Sequence, residues 1–164
     1  MSPPDGPEIA VHIERVLPAP PDRVFRAFID PDLMRQWVTP DDLDLDRIRI
    51  DARVGGRIEV WHSRHGTRTG KFEGRFVTID PPRELVYHWA FVGTEPEQGE
   101  YFDTLVTVRL RPVGVGATRI TVVHERLAEL AQGAPQIHRQ LHSGWENCLG
   151  KLERALRGAS TPGV

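Results

Sequence analysis

The sequence predicts an α+β domain in which a curved antiparallel sheet of seven strands wraps one long C-terminal helix, with two short helices after the first strand. Two observations predict it. From Ile137 to Leu156, steps of about 100° per residue gather Ile137, Leu141, Trp145, Cys148, Leu149, Leu152 and Leu156 within an arc of roughly 120°. The facing arc is polar, with Arg139, Gln140, Ser143, Glu146, Asn147, Lys151, Glu153 and Arg154. A helix with one dry face needs a partner layer. Most of the chain before it alternates apolar and polar residues at two-residue spacing between short turns. Parallel pairing needs crossovers of about a dozen residues, so short turns select an antiparallel meander.

Residues 1–7, rich in proline, read as a loose tail; 8–158 read as one domain, and 159–164 as a C-terminal tail. Ile9, Val11 and Ile13 alternate with Ala10, His12 and Glu14 as a first strand, which Pro18, Pro20 and Pro21 stop. Asp22 is placed to cap a short helix carrying Val24, Phe25, Phe28 and Ile29, and a second turn, Pro31 to Trp37, follows Asp30. Leu43, Leu45, Ile48 and Ile50 restore strand spacing before the Gly55-Gly56 turn. Ile58, Val60 and His62 alternate with Arg57, Glu59 and Trp61, and His65-Gly66-Thr67 turns the chain. Phe72, Gly74 and Phe76 share one face of the next strand, which Asp80-Pro81-Pro82 breaks. Leu85, Tyr87, Trp89 and Phe91 line one face of a fifth strand. An acidic loop around Glu95 to Glu100 leads to Val106, Val108 and Leu110, then to Ile120, Val122 and His124. Gly133-Ala134-Pro135 delivers the chain to the last helix.

At 164 residues with 39% apolar content, one domain with a true core is expected. A net charge of −2, with both signs interspersed, gives no footprint for nucleic acid. The single cysteine, Cys148, excludes a disulfide framework within one chain, and no apolar run is long enough for a leader or a membrane span. A cytoplasmic protein, monomeric or a homodimer, is the expectation.

Several groups bear on chemistry. Trp61 or His62, with Phe72, Phe76, Tyr87, Trp89, Phe91, His124, His142 and Trp145, form either an ordinary core or the wall of a cavity. Gly144 inside the helix costs roughly 1 kcal/mol against alanine. Close packing on a strand, or room at a cavity mouth, would compensate. His138 and His142 share a helix side, and His124 or Glu125 could join them around a metal, but no third ligand is fixed and no Cys-x-x-Cys or His-Glu-x-x-His occurs. No metal or cofactor is expected. Ser143 and Cys148 have no partner base locked to them by a motif, and Cys148 on the dry face reads as a small hydrophobe. Gly114 to Gly116 is a hairpin turn without the context of a phosphate loop.

PPDRVFRAFIDPDLMRQWV (Pro20 to Val38), Gly55-Gly56, IDPPRELVYHW (Ile79 to Trp89), VTVRLRPVGVGATRITVVHE (Val106 to Glu125) and SGWENCLGKL (Ser143 to Leu152) resemble, in order and spacing, the START-like superfamily, also called SRPBCC or Bet v 1-like. Within it the chain is most similar to the activator of Hsp90 ATPase homologue 1-like (AHSA1-like) family. The resemblance implies a helix-grip fold with a largely apolar cavity between sheet and last helix. The expected lining is His62, Phe72, Phe76, Tyr87, Trp89, Phe91, Val108, His124, Leu141, His142, Trp145 and Leu149, with no catalytic residue among them. Relatives include lipid carriers, polyketide cyclases, resistance proteins and co-chaperone domains, so fold alone leaves function open. The eukaryotic co-chaperone adds a separate Hsp90-binding domain, and nothing here is long enough to be one. The expected activity is binding of a small hydrophobic or aromatic molecule. A protein-interaction module, with a protein partner, or a cyclase-like or hydrolytic enzyme are the alternatives; in the enzyme, Tyr87, His62 or His124 would polarise a carbonyl.

Overall fold

The computed structural model describes residues 10–39, 41, 43–93 and 101–159. The expected N-terminal tail, the acidic loop at 95–100 and residues 160–164 lie outside them; Ala159 ends the last helix. β1 (Val11–Leu17) buries Ile13 and Leu17 on one face before the prolines stop it. α1 (Pro21–Arg26) has Pro20 at its N-cap and Pro21 in its first turn. Asp22 therefore lies inside that turn and does not cap it; proline at the first helical position has no N–H to satisfy and a φ already set for the helix.

α2 (Pro31–Met34) is capped as expected, its Asp30 side chain accepting from the Asp32 amide at 2.8 Å. It is shorter than the expected Pro31 to Trp37. The Gln36 and Trp37 amides bond to carbonyls three residues back, on Leu33 and Met34, which tightens the chain into turns. Trp37 is buried against Phe28, with ring centroids 4.6 Å apart, and its indole N–H donates to the Ala27 carbonyl at 3.0 Å.

Six strands follow: β2 (Asp44–Ile50), β3 (Arg57–Arg64), β4 (Thr67–Asp80), β5 (Glu84–Val92), β6 (Tyr101–Val113) and β7 (Ala117–Glu125). They form one open antiparallel sheet in the order β1-β7-β6-β5-β4-β3-β2. A register shift between Leu45 and Arg47 accounts for the phase change that carries the apolar positions from Leu45 to Ile48. At the β3–β4 hairpin, His65 and Gly66 both take positive φ, 52° and 80°, the conformation of a two-residue turn matched to strand twist.

α3 (Ala128–Gly133) is an element the sequence does not announce: six residues are too few for a period, and no side chain caps it. It buries Leu130 and passes the chain to α4 (Pro135–Ala159), the expected long helix with two residues more at its start and three more at its end.

Strand register sorts the inner face into rows. Leu85, Val108, Val122 and Ile13 lie in one, and Phe76, Tyr87, Val106, His124 and Val11 in the next. Beyond them come Gly74, Trp89 and Thr104, then Val60, Phe72, Phe91 and Phe102. Leu149, Leu152 and Leu156 of α4 join the closed core with the first of these rows. The rows at the other end leave space.

Candidate functional site

That space is a cavity of about 1200 Å³, open on one side, bounded by β3 to β7, by Met34, Trp37 and Val38, and by the first half of α4. Its sheet wall is a run of rings. Tyr87 meets Trp89 edge-on with centroids 5.7 Å apart; Phe72 lies 5.3 Å from Trp89, 5.0 Å from Phe91 and 4.6 Å from the His62 imidazole. Alternation on β4 and β5 puts these side chains on one face, and register brings them opposite. Gly74 makes the wall possible: a Cβ there would stand 2.7 Å from the His88 carbonyl and 3.1 Å from the Trp89 ring.

A polar chain crosses the wall. The Trp145 indole N–H donates to His124 Nδ1 at 3.0 Å, His124 Nε2 lies 2.6 Å from Thr104 Oγ1, and the Thr104 hydroxyl donates to the Trp89 carbonyl. Because Nδ1 is an acceptor, the ring is neutral with its proton on Nε2, donated to Thr104. Burial agrees, pushing the His124 pKa down to about 3. His62 is likewise buried, with Nε2 3.4 Å from Thr39 Oγ1.

Val38, Thr39 and Asp41 are strapped along α4. The Asp41 amide donates to Asn147 Oδ1 at 3.1 Å, Asn147 Nδ2 donates back to the Asp41 carboxylate at 2.9 Å, and Lys151 donates to the Thr39 carbonyl while pairing with Asp41 at 3.1 Å. The Asn147 hydrogen bond, followed by the bond and charge of Lys151, lowers the Asp41 pKa. Cys148 Sγ lies 3.6 Å from the Val38 carbonyl. Burial pushes that thiol's pKa up to about 12, so the group is neutral.

Of the expected lining residues, His62, Phe72, Tyr87, Trp89, Phe91, His124, Leu141 and Trp145 border the cavity. Phe76, Val108, Leu149 and His142 do not. Phe76, Val108 and Leu149 are 2%, 1% and 0% exposed and belong to the solid part of the core. Alternation identifies a strand's inner face but not how far along it the space begins. His142 is exposed, because the helix turns it past the margin of the dry face. Trp61 points the other way, half-buried beneath the Arg47 guanidinium at 4.6 Å. Sequence reasoning missed Met34, Trp37, Val38, Leu43 and Phe102. The last was legible as the register neighbour of Phe91, had the length of the acidic loop been known.

A Cβ added to Gly144 would meet nothing within 4 Å, and Gly144 borders the cavity. Close helix packing is thus excluded as its reason. Gly133 is the opposite case: a methyl group there would stand 2.3 Å from the Phe102 ring. His138, His142 and His124 do not assemble: among the described residues no group of three metal-ligating side chains occurs. Among those residues also, no helix is long and apolar enough to cross a membrane.

An open seven-stranded antiparallel sheet gripping a long C-terminal helix over an aromatic cavity defines the helix-grip class. The sequence matches the model of the activator of Hsp90 ATPase homolog 1-like protein over residues 18–157, and the chain belongs to that family, within the START-like SRPBCC superfamily. Among solved structures, a protein from Chromobacterium violaceum is 28% identical with a TM-score of 0.72, matching 89% of this chain and 96% of its own. A family protein from Silicibacter pomeroyi shares the fold with a TM-score of 0.73 at 21% identity, over 90% of this chain and 97% of its own. DynU16, from the dynemicin biosynthetic locus, does so with a TM-score of 0.67 at 23% identity, over 92% of this chain and 48% of its own. Among curated proteins, none matches the sequence.

Proposed function

We propose that the protein binds a small hydrophobic or aromatic molecule between its sheet and α4, for carriage or sequestration. The observation that carries this reading is the cavity itself: about 1200 Å³, walled by Phe72, Tyr87, Trp89, Phe91 and Trp145. Such a volume suits a polycyclic or lipid-sized ligand, and apolar walls with few polar groups are the usual construction of a small-molecule site. Likeness in fold to DynU16, from the dynemicin biosynthetic locus, is in keeping with a small-molecule ligand. The neutral thiol of Cys148 and the neutral, doubly bonded ring of His124 favour binding over turnover, since neither is poised as nucleophile or base.

The test is titration with 1-anilinonaphthalene-8-sulfonate, read by probe emission and by quenching of the three tryptophans that border the cavity, Trp37, Trp89 and Trp145. Saturable one-to-one binding is expected. It should be weakened in Gly144→Trp, whose new side chain starts in open space at the cavity's border. Equal binding by that variant, with its far-ultraviolet spectrum unchanged, would move the ligand elsewhere.

A further inference from the structure

We propose that the ligand class is narrower than "apolar": a planar aromatic molecule that leads with a hydrogen-bond acceptor, a ketone or quinone carbonyl, and receives the Tyr87 hydroxyl. The inference rests on the binding reading above and deepens it.

Tyr87 is 4% exposed and borders the cavity. Its ring packs against two others, Phe76 and Trp89. Among the described residues no group accepts from or donates to its hydroxyl. Of the described buried side-chain nitrogens and oxygens, only His88 Nδ1 is both sealed and without a hydrogen bond, lying 3.2 Å from Asp103 Oδ2 without bonding alignment. The Tyr87 oxygen, equally unbonded, is therefore not sealed, and the space it opens to is the cavity.

Its neighbours are already committed. His124 uses both nitrogens, Thr104 donates to Trp89, and the Trp145 N–H is held by His124. Cys148 points at the Val38 carbonyl. A donor is thus left over on the wall while the histidine chain beside it is closed. An unpaired hydroxyl in an apolar site penalises any occupant that cannot accept from it, and discriminates for one that can. Burial, with a smaller contribution from Cys148, raises the Tyr87 pKa, so the group stays a donor throughout the working range of pH. The rings of Phe72, Trp89 and Phe91 beside it suit a flat aromatic body.

The experiment compares anthraquinone-2-sulfonate with anthracene-2-sulfonate, which differ in the ring carbonyls, on wild type and Tyr87→Phe. The readout is the ratio of the two affinities in wild type divided by the same ratio in the variant, which cancels intrinsic differences between the probes. About a tenfold double ratio is expected, made up of weaker anthraquinone-2-sulfonate binding and equal or tighter anthracene-2-sulfonate binding in the variant. A double ratio near one, with both probes bound, overturns the acceptor proposal and leaves the binding reading standing. If neither probe binds either protein, the binding reading falls and this one with it. A second measurement needs no ligand: Tyr87→Phe should melt no lower than wild type, because its hydroxyl has no partner to lose. A clear drop in Tm would reveal a partner in the protein and also overturn the proposal.

Discussion

The Trp145 indole N–H donates to His124 Nδ1 across 3.0 Å, joining the middle of α4 to the end of β7 through the wall of the cavity. The ring it meets is neutral and donates onward to Thr104, so helix, β7 and β6 are held by one directed chain. Trp145→Phe keeps the apolar contact and removes the donor, leaving a buried acceptor unpaired. A loss of about 1 to 3 kcal/mol in urea unfolding is expected. An unchanged midpoint would show that the bond contributes nothing to the fold.

The same ring gives the stability a pH dependence with a fixed sign. His124 has its folded pKa depressed from 6.5 to about 3 by burial. Its neutral form therefore supports the fold fully above pH 6.5, and that support is lost as the pH falls from there toward 3, while the unfolded chain takes up a proton. Between pH 7 and 5 the stability advantage of wild type over His124→Gln should shrink by about 2 kcal/mol. Parallel unfolding curves at the two pH values would contradict it.

Two glycines should answer alanine with opposite signs. At Gly144 the new methyl meets nothing, so Gly144→Ala should stabilise by up to about 1 kcal/mol through helix propensity. At Gly74 the methyl would meet the His88 carbonyl at 2.7 Å and crowd Trp89, and Gly74→Ala should destabilise and shift the near-ultraviolet signal of the cavity tryptophans. Thermal melts of both variants decide, and a loss of stability at Gly144 would show that its open space is needed by the backbone.

Cys148 should react slowly. With its pKa near 12, the thiolate fraction at pH 8 is about a thousandfold below that of an unperturbed thiol, before access is counted. Labelling with 5,5′-dithiobis(2-nitrobenzoate) should proceed at that depressed rate in the native protein and at the ordinary rate in urea. Equal rates in the two conditions would refute the burial.

The strap of Thr39 and Asp41 on α4 is testable through one amide. Asn147→Ala removes both the acceptor for the Asp41 N–H and the donor to its carboxylate. Hydrogen exchange of the Asp41 amide should accelerate about tenfold or more, with the central strands unaffected. Exchange already at the unprotected rate in wild type would mean the strap does not persist in solution.

Much of this was legible because two periods carry it. A 100° step placed Leu141, Trp145 and Leu149 on the dry face of α4, and a two-residue step placed Phe72, Tyr87, Trp89 and Phe91 on one face of the sheet. A face is not a depth, however. Phe76, opposite Tyr87 and two inward positions along β4 from Phe72, lies in solid core, and nothing in alternation marks where filling stops. Trp37 and Val38 escaped for another reason: they border the cavity from turns, where no period operates and only tertiary packing decides orientation. Gly144 was ambiguous because cost to the helix is visible in sequence while the surroundings that repay it are not.

The strand order carries one consequence for the chain as it is made. β1 lies at the sheet's edge with Val11 opposite His124 and Leu17 opposite Thr118, so among the described residues its one strand neighbour is β7, the last strand in chain order. The meander from β2 to β6 can zip progressively by local hairpins, but β1 finds its partner only after the other described strands, β2 to β7, have been made. Completion of the sheet, and of the cavity beneath α4, is thus a late event that draws on both ends of the domain.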